Sequence, residues 1–276
     1  MTFRTRDLMP RIGAEIFTDK ASLLSGVYAG RIRDLLEQRG VLVMRNIHVS
    51  DEEEIAFAAT LGDIRDDFGG NPIMKVTFDK TANPQFGDYF HGTFFWHIDG
   101  THEDVPPRAS IATPRVLAPA GTGQTEFANT YAAYDDLSDE QKARFEDIRI
   151  VHSKAASMRV TYPNPSATEI AHFNSFPHKS HPLVWNHASG RKSLVAGLSS
   201  DYVEGMEPEK SAEFIAWIKA WMEQRQFVYT HQWQIGDVLI WDNTGTMHRV
   251  LGFDKSCGRR LHRVTLTGEE SLAQAA

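Results

Sequence analysis

FVYTHQW (227–233), DVLIWDN (237–243) and RRLHRVTLTG (259–268) decide the fold. Each is a short run rich in β-branched and aromatic residues, and Ile235-Gly236-Asp237 makes a turn between the first two. Runs this short, bounded by turn residues, read as strands and not as helices. Working towards the N-terminus, KSLVAG (192–197), HPLVWNH (181–187), TEFANT (125–130), RASIATP (108–114) and FFWHID (94–99) have the same texture. Ala188-Ser189-Gly190 supplies another turn. A series of short strands predicts a sandwich, barrel or jelly roll. Neither GxGxxG nor GxxxxGK[ST] occurs, so a dinucleotide or P-loop site has no support.

Helices surround this β-rich part. Residues 21–39 carry Leu24, Val27, Ile32, Leu35 and Leu36 near helical spacing, with Gly40 as a stop before the strand VLVMR (41–45). Ser50 and Glu53 form a capping box for a helix to about Leu61, and Ser138 with Gln141 opens another. The stretch from Pro208 to Gln224 has Phe214, Trp217, Ile218 and Trp221 as its apolar stripe, read as core packing or as a contact within a homo-oligomer. Residues 154–180 are polar and without period, and read as a long loop of the kind that lids a site. No repeat or linker divides the chain, so residues 1–276 are expected to form a single domain with its core at about 20–268.

Composition bounds the chemistry. The chain has 276 residues, a net charge of −7, twelve histidines and one cysteine. Cys257 alone excludes an intrachain disulfide and any cysteine-built zinc or iron–sulfur site, and it reads as an inert thiol. A metal would need His and carboxylate ligands. The acidic balance argues against nucleic acid as a partner. No apolar run approaches a membrane span, and the charged N-terminus with Pro10 is no signal peptide, so a cytoplasmic protein is expected.

Three constellations carry chemistry. On a strand, His97 and Asp99 project from one face, offering an imidazole and a carboxylate side by side. Alone this HxD is weak, since a half-buried strand with a satisfied histidine looks the same. His248 follows the strand at 237–243 and a short turn, and as a third ligand it would complete a two-histidine, one-carboxylate facial triad suited to Fe(II). Zinc competes on ligand type alone. In RRLHRVTLTG, Arg259, Leu261 and Arg263 share one face by strand parity, so two guanidiniums stand ready for carboxylates. A solvated basic edge strand is the competing reading.

The ordered set WHxD, GxGxTxF, WDNxxxxH and an arginine eleven residues beyond that histidine resembles the Fe(II)- and 2-oxoglutarate-dependent oxygenases of the taurine dioxygenase and 2,4-dichlorophenoxyacetate dioxygenase (TauD/TfdA) family. The likeness runs from about residue 20 to 268 and includes Gly40–Arg45, Thr125–Asn129, Tyr131–Leu137, His181–Val184, Val203–Met206 and Trp233–Asp237. It implies a double-stranded β-helix (jelly roll), mainly β with flanking helices. It implies that His97, Asp99 and His248 bind Fe(II), that Arg259 and Thr125 hold 2-oxoglutarate, and that Arg263 takes the acid group of the substrate. The implied reaction is hydroxylation with O2 of a small carboxylate- or sulfonate-bearing substrate, releasing succinate and CO2, with ether or C–S cleavage where the product is unstable. The carboxylate of Asp99 disfavours halogenation, because related halogenases lack it. Alternatives are a biosynthetic oxidase of amino-acid-like or natural-product acids, and a non-catalytic jelly-roll anion binder.

Ile98 stands where the family usually has Thr or Ser, Gln124 where an acidic residue is common, and Gly100 and His102 where larger apolar side chains often sit. Thr93, Gly100 and His102 are therefore the pocket candidates. His178, His181 and His187 are assigned structural or solvent-facing roles.

Overall fold

The computed structural model describes residues 3–66, 70–84, 89–162 and 164–272. The N-terminal part contains β1 (Arg4–Asp7), β2 (Ala14–Phe17), α1 (Lys20–Leu24), α2 (Ala29–Arg39), β3 (Val41–Met44), α3 (Asp51–Leu61) and β4 (Met74–Val76). Next come β5 (Ala109–Val116), β6 (Thr125–Asn129), α4 (Thr130–Asp135), α5 (Asp139–Phe145), β7 (Arg149–His152), α6 (Lys154–Thr161) and α7 (Ala167–Asn174). The chain continues through β8 (Lys179–Pro182), β9 (Val184–Asn186), β10 (Lys192–Leu194), β11 (Ser200–Val203) and α8 (Pro208–Met222). It closes with β12 (Val228–His231), β13 (Val238–Asp242), β14 (Thr246–Val250) and β15 (Arg260–Thr265). Among the described residues no helix is long and apolar enough to cross a membrane.

The decisive runs behave as strands. β13, with all five residues buried, sits between β3 and β5, and the large sheet has seven strands in the order β1-β2-β3-β13-β5-β15-β4. A smaller sheet, β12-β6-β14, faces it, and two further groups, β11-β7-β8 and β10-β9, extend the small-sheet side. This is the jelly roll. Its apolar core lies in layers: α2 and α3 cover the outside of the large sheet through Ile32, Leu36, Phe57 and Leu61. Phe127, Leu239 and Trp241 pack between the sheets.

Several expectations need correction. The helix read over 21–39 is two helices, because the chain turns at Gly26 (φ 71°), where a Cβ would press on Thr60 at 3.1 Å. Val27, placed on its apolar stripe, is 56% exposed. The segment 154–180 is not a structureless loop. It holds α6, capped by Ser153, and α7, opened by a Ser166–Glu169 capping box that the polar composition masked. HPLVWNH splits into β8 and β9 at Leu183. FFWHID is not a regular strand: residues Tyr89–Phe94 form a 3₁₀ turn, and of the rest only His97 pairs, in an isolated antiparallel bridge with His248. On α8 the buried residues are Ser211, Ile215, Ile218 and Met222, while Trp217 of the expected stripe is 40% exposed. β1, β2, β4, β7 and β11 were not foreseen.

Behind the site, on the outer face of the large sheet, a polar network joins α3 to β5 and β15. Arg115 donates to Asp51 at 2.7 Å and to Glu54 at 3.3 Å, and His262 Nδ1 lies 2.7 Å from Asp51. Glu54 is fully buried, and one of its oxygens has no partner. Burial dominates and pushes its carboxyl up to about 8, against the Thr113 hydrogen bond and the shared Arg115 charge. Folded Glu54 thus keeps its proton to a pH at which the unfolded chain has released it. Unfolding releases that proton between the ordinary glutamate range and about 8, so stability falls as pH rises through the window. Glu54→Gln is expected to gain stability on the parent from pH 5 to 8, by up to ~1.4 kcal/mol per pH unit, in denaturant titrations. Parallel pH curves for the two proteins would contradict this.

Candidate active site

Backbone pairing brings the metal-binding types together. His97 and His248 exchange N–H···O bonds of 3.1 and 2.9 Å, which sets their ring centroids 4.1 Å apart. Two residues on, Asp99 turns its Oδ1 to 3.8 Å from His97 Nε2. One ligand atom from each of His97, Asp99 and His248 lies within 4.8 Å of the other two. Among the described residues this is the one group of three His, Cys, Asp or Glu side chains so arranged. Ile98 is buried with Trp96 in the neighbouring apolar cluster, so its departure from the familiar Thr or Ser leaves the cluster intact.

Protonation suits metal binding. His97 Nδ1 donates to the Phe95 carbonyl at 2.8 Å, which turns Nε2 towards Asp99. Burial, with the neighbouring His97, holds His248 well below the ordinary histidine range, so its imidazole is neutral. Its Nδ1 is buried without a partner. Burial alone would raise the Asp99 carboxyl, but the Arg263 guanidinium beside it holds it far below the usual carboxylate range. Two imidazoles and one carboxylate are the donor set of a facial Fe(II) site, and the residues fit that ion.

Both arginines point into the same cavity. It encloses about 490 Å³, within the ~300–1,000 Å³ span usual for small-molecule sites. β15 contributes Arg263, Leu261 and Thr265, with Arg259 just ahead of it, while β6 and β14 contribute Thr125, Phe127, His248 and Val250 from the opposite sheet. Arg263 Nη1 donates to Asp99 Oδ2 at 2.9 Å. Arg259 is 4% exposed, its Nη2 has no partner, and burial lowers it from the ordinary arginine value to about 10. Thr125 Oγ1 accepts from Trp233 Nε1 at 2.9 Å, so its own hydroxyl proton remains to be donated.

The pocket candidates all reach the cavity. Thr93, His102 and Gly100 are all among its lining residues. Gly100 is there for conformation: φ is 77°, and a Cβ would lie 2.4 Å from Pro107. His178 is exposed, and His187 is held between Glu270 (2.9 Å) and Ser193 (2.8 Å). Lys154, Met158, Phe176 and Leu198 also line the cavity and were not singled out from sequence. Lys154, Met158 and Phe176 belong to the segment read as a lid, the first two on α6, and Leu198 lies beyond it.

A jelly roll with a facial His-Asp-His cluster and two arginines in one cavity defines the class of 2-oxoglutarate-dependent oxygenases. The sequence profile described as "Taurine catabolism dioxygenase TauD, TfdA family" matches residues 4–265. The chain belongs to this family, whose members use Fe(II) and 2-oxoglutarate. It is similar to the alpha-ketoglutarate-dependent 2,4-dichlorophenoxyacetate dioxygenase of Cupriavidus pinatubonensis, 31% identical over 264 residues that cover 90% of this chain and 91% of that protein. The (S)-phenoxypropionate/alpha-ketoglutarate-dioxygenase of Sphingobium herbicidovorans is 28% identical over 245 residues, covering 85% of this chain and 84% of that one. Among solved structures, AAD-2 in complex with Mn(II) and N-oxalylglycine superposes with a TM-score of 0.83 at 28% identity, covering 99% of this chain and 100% of that one.

His97→Ala and His248→Ala are each expected to abolish stoichiometric Mn(II) binding, followed by electron paramagnetic resonance, while leaving the circular dichroism spectrum unchanged. Tight Mn(II) binding by both variants would contradict the ligand set.

Proposed function

We propose that this dioxygenase hydroxylates an aryloxy-carboxylate at the carbon between the ether oxygen and the acid group. His97, Asp99 and His248 hold the metal. When bound, Fe(II) with 2-oxoglutarate and O2 supplies the oxidant that places a hydroxyl on a substrate C–H carbon, with succinate and CO2 released. Arg259 takes the distal carboxylate of 2-oxoglutarate through its unpaired Nη2, and the Thr125 hydroxyl donates to the same group. Arg263 receives the carboxylate of the substrate. Its Nε is buried and unpartnered while Nη1 is engaged by Asp99, so the substrate acid would lock beside the metal.

The observation that carries the substrate class is the apolar lining of the cavity that Arg263 enters. Met74, Val76, Phe90, Met158, Phe176 and Leu198 form a surface for an aromatic ring, and a small sulfonate would leave it uncovered. These groups also exclude water from the reacting carbon. Hydroxylation there gives a hemiacetal, whose O–H proton moves to the ether oxygen as the C–O bond breaks. The products are a phenol and a 2-oxo acid or glyoxylate. Substrates and relatives of both phenoxyacetate and phenoxypropionate type fit this chemistry.

The test is phenol and succinate release from aryloxyacetates, aryloxypropionates, alkanesulfonates and alkyl sulfates with Fe(II)-loaded protein. Phenol formed in step with succinate is expected for the aryloxy acids, and succinate release with the sulfonates or sulfates alone would overturn the reading. Arg263→Gln is expected to raise the aryloxy-acid KM by at least tenfold and the 2-oxoglutarate KM by under threefold, and equal losses would contradict a separate role.

A further inference from the structure

We propose that Phe253 is a positioning residue for Arg259, its ring forming one wall of a slot that fixes the guanidinium where the distal carboxylate of 2-oxoglutarate docks. This rests on the co-substrate role proposed above for Arg259. Among the described residues no acidic side chain pairs with Arg259, although it is almost wholly buried. Something else must hold its charge and its direction. The Phe253 ring does so from one side, with Arg259 Cζ 5.1 Å from the ring centroid. An aromatic face attracts a cation most strongly where water is excluded.

A second wall is Gly123, from the GxGxTxF stretch that also carries Thr125. A Cβ at Gly123 would meet Arg259 Cδ and Nε at 3.2 Å and Ala118 at 2.6 Å. The residue also has φ of 66°, so glycine is required there for both space and conformation. The arginine therefore meets a bare backbone along its stem and an aromatic face at its guanidinium.

Phe253 is itself anchored. Its centroid lies 5.7 Å from that of Phe94 and 5.9 Å from that of Phe78, and those two rings stack on each other at 5.7 Å. Lys255 Nζ covers Phe78 and Phe94 at 5.3 and 5.4 Å. Phe94 ends the 3₁₀ turn whose Phe90, Gly92 and Thr93 line the cavity. The arrangement leaves Arg259 pre-aimed without a neutralising carboxylate, so an incoming carboxylate has no internal competitor.

Calorimetric titration of Mn(II)-loaded protein with N-oxalylglycine tests this apart from turnover. Phe253→Leu, which keeps apolar cover but removes the aromatic face, is expected to weaken N-oxalylglycine about tenfold, ~1.4 kcal/mol. Phe253→Tyr is expected to stay within twofold of the parent, and Mn(II) affinity to be unchanged in both. In steady state, Phe253→Leu is expected to raise the 2-oxoglutarate KM about tenfold with kcat within twofold. Parental N-oxalylglycine affinity in Phe253→Leu, with Arg259→Ala strongly impaired, would overturn this proposal alone. Parental affinity in Arg259→Ala would overturn the co-substrate assignment beneath it.

Discussion

The cavity depends on one contact, the 2.9 Å hydrogen bond from Arg263 to Asp99. Asp99 has two oxygens and two neighbours to serve. Oδ2 is taken by the guanidinium, and Oδ1 is left facing the imidazoles. A carboxylate so divided would offer a bound metal one oxygen, beside the nitrogens of His97 and His248. The same contact keeps Asp99 ionised in a site whose burial would otherwise favour its protonated form.

Charge explains why the pocket wants anions. Arg259 and Arg263 both reach the cavity, and of the two only Arg263 has a carboxylate partner among the described residues. Burying a guanidinium without a partner is costly, and a carboxylate-bearing ligand at Arg259 would relieve that cost. The protein carries a net charge of −7, yet its cavity is organised around cations. Overall charge describes the surface, while the site is set by which strand face each arginine occupies.

Much of this was legible in the chain. Strand parity in RRLHRVTLTG put Arg259 and Arg263 on the cavity side and His262 behind the sheet, where it meets Asp51. His97 and Asp99 come together with His248 even though the local backbone is a single bridge followed by a turn at Asp99 and not a strand. What did not show was long-range. The burial of Glu54 under Arg115, the glycine slot at Gly123 and the wall made by Lys154 to Phe176 arise from segments far apart in sequence, and no local period marks them. α6 and α7 were hidden because their polar faces resemble loop composition, and only the serine caps at 153 and 166 announced them.

The central claim is that one arginine serves the co-substrate and the other serves Asp99 and the substrate. A crystal structure with Mn(II) and N-oxalylglycine tests it most directly. The account predicts the ion on His97, one oxygen of Asp99 and His248, the distal carboxylate of N-oxalylglycine on Arg259 and Thr125, and the Arg263–Asp99 bond intact. An ion bound away from these three side chains, or a distal carboxylate resting on Arg263, would contradict it.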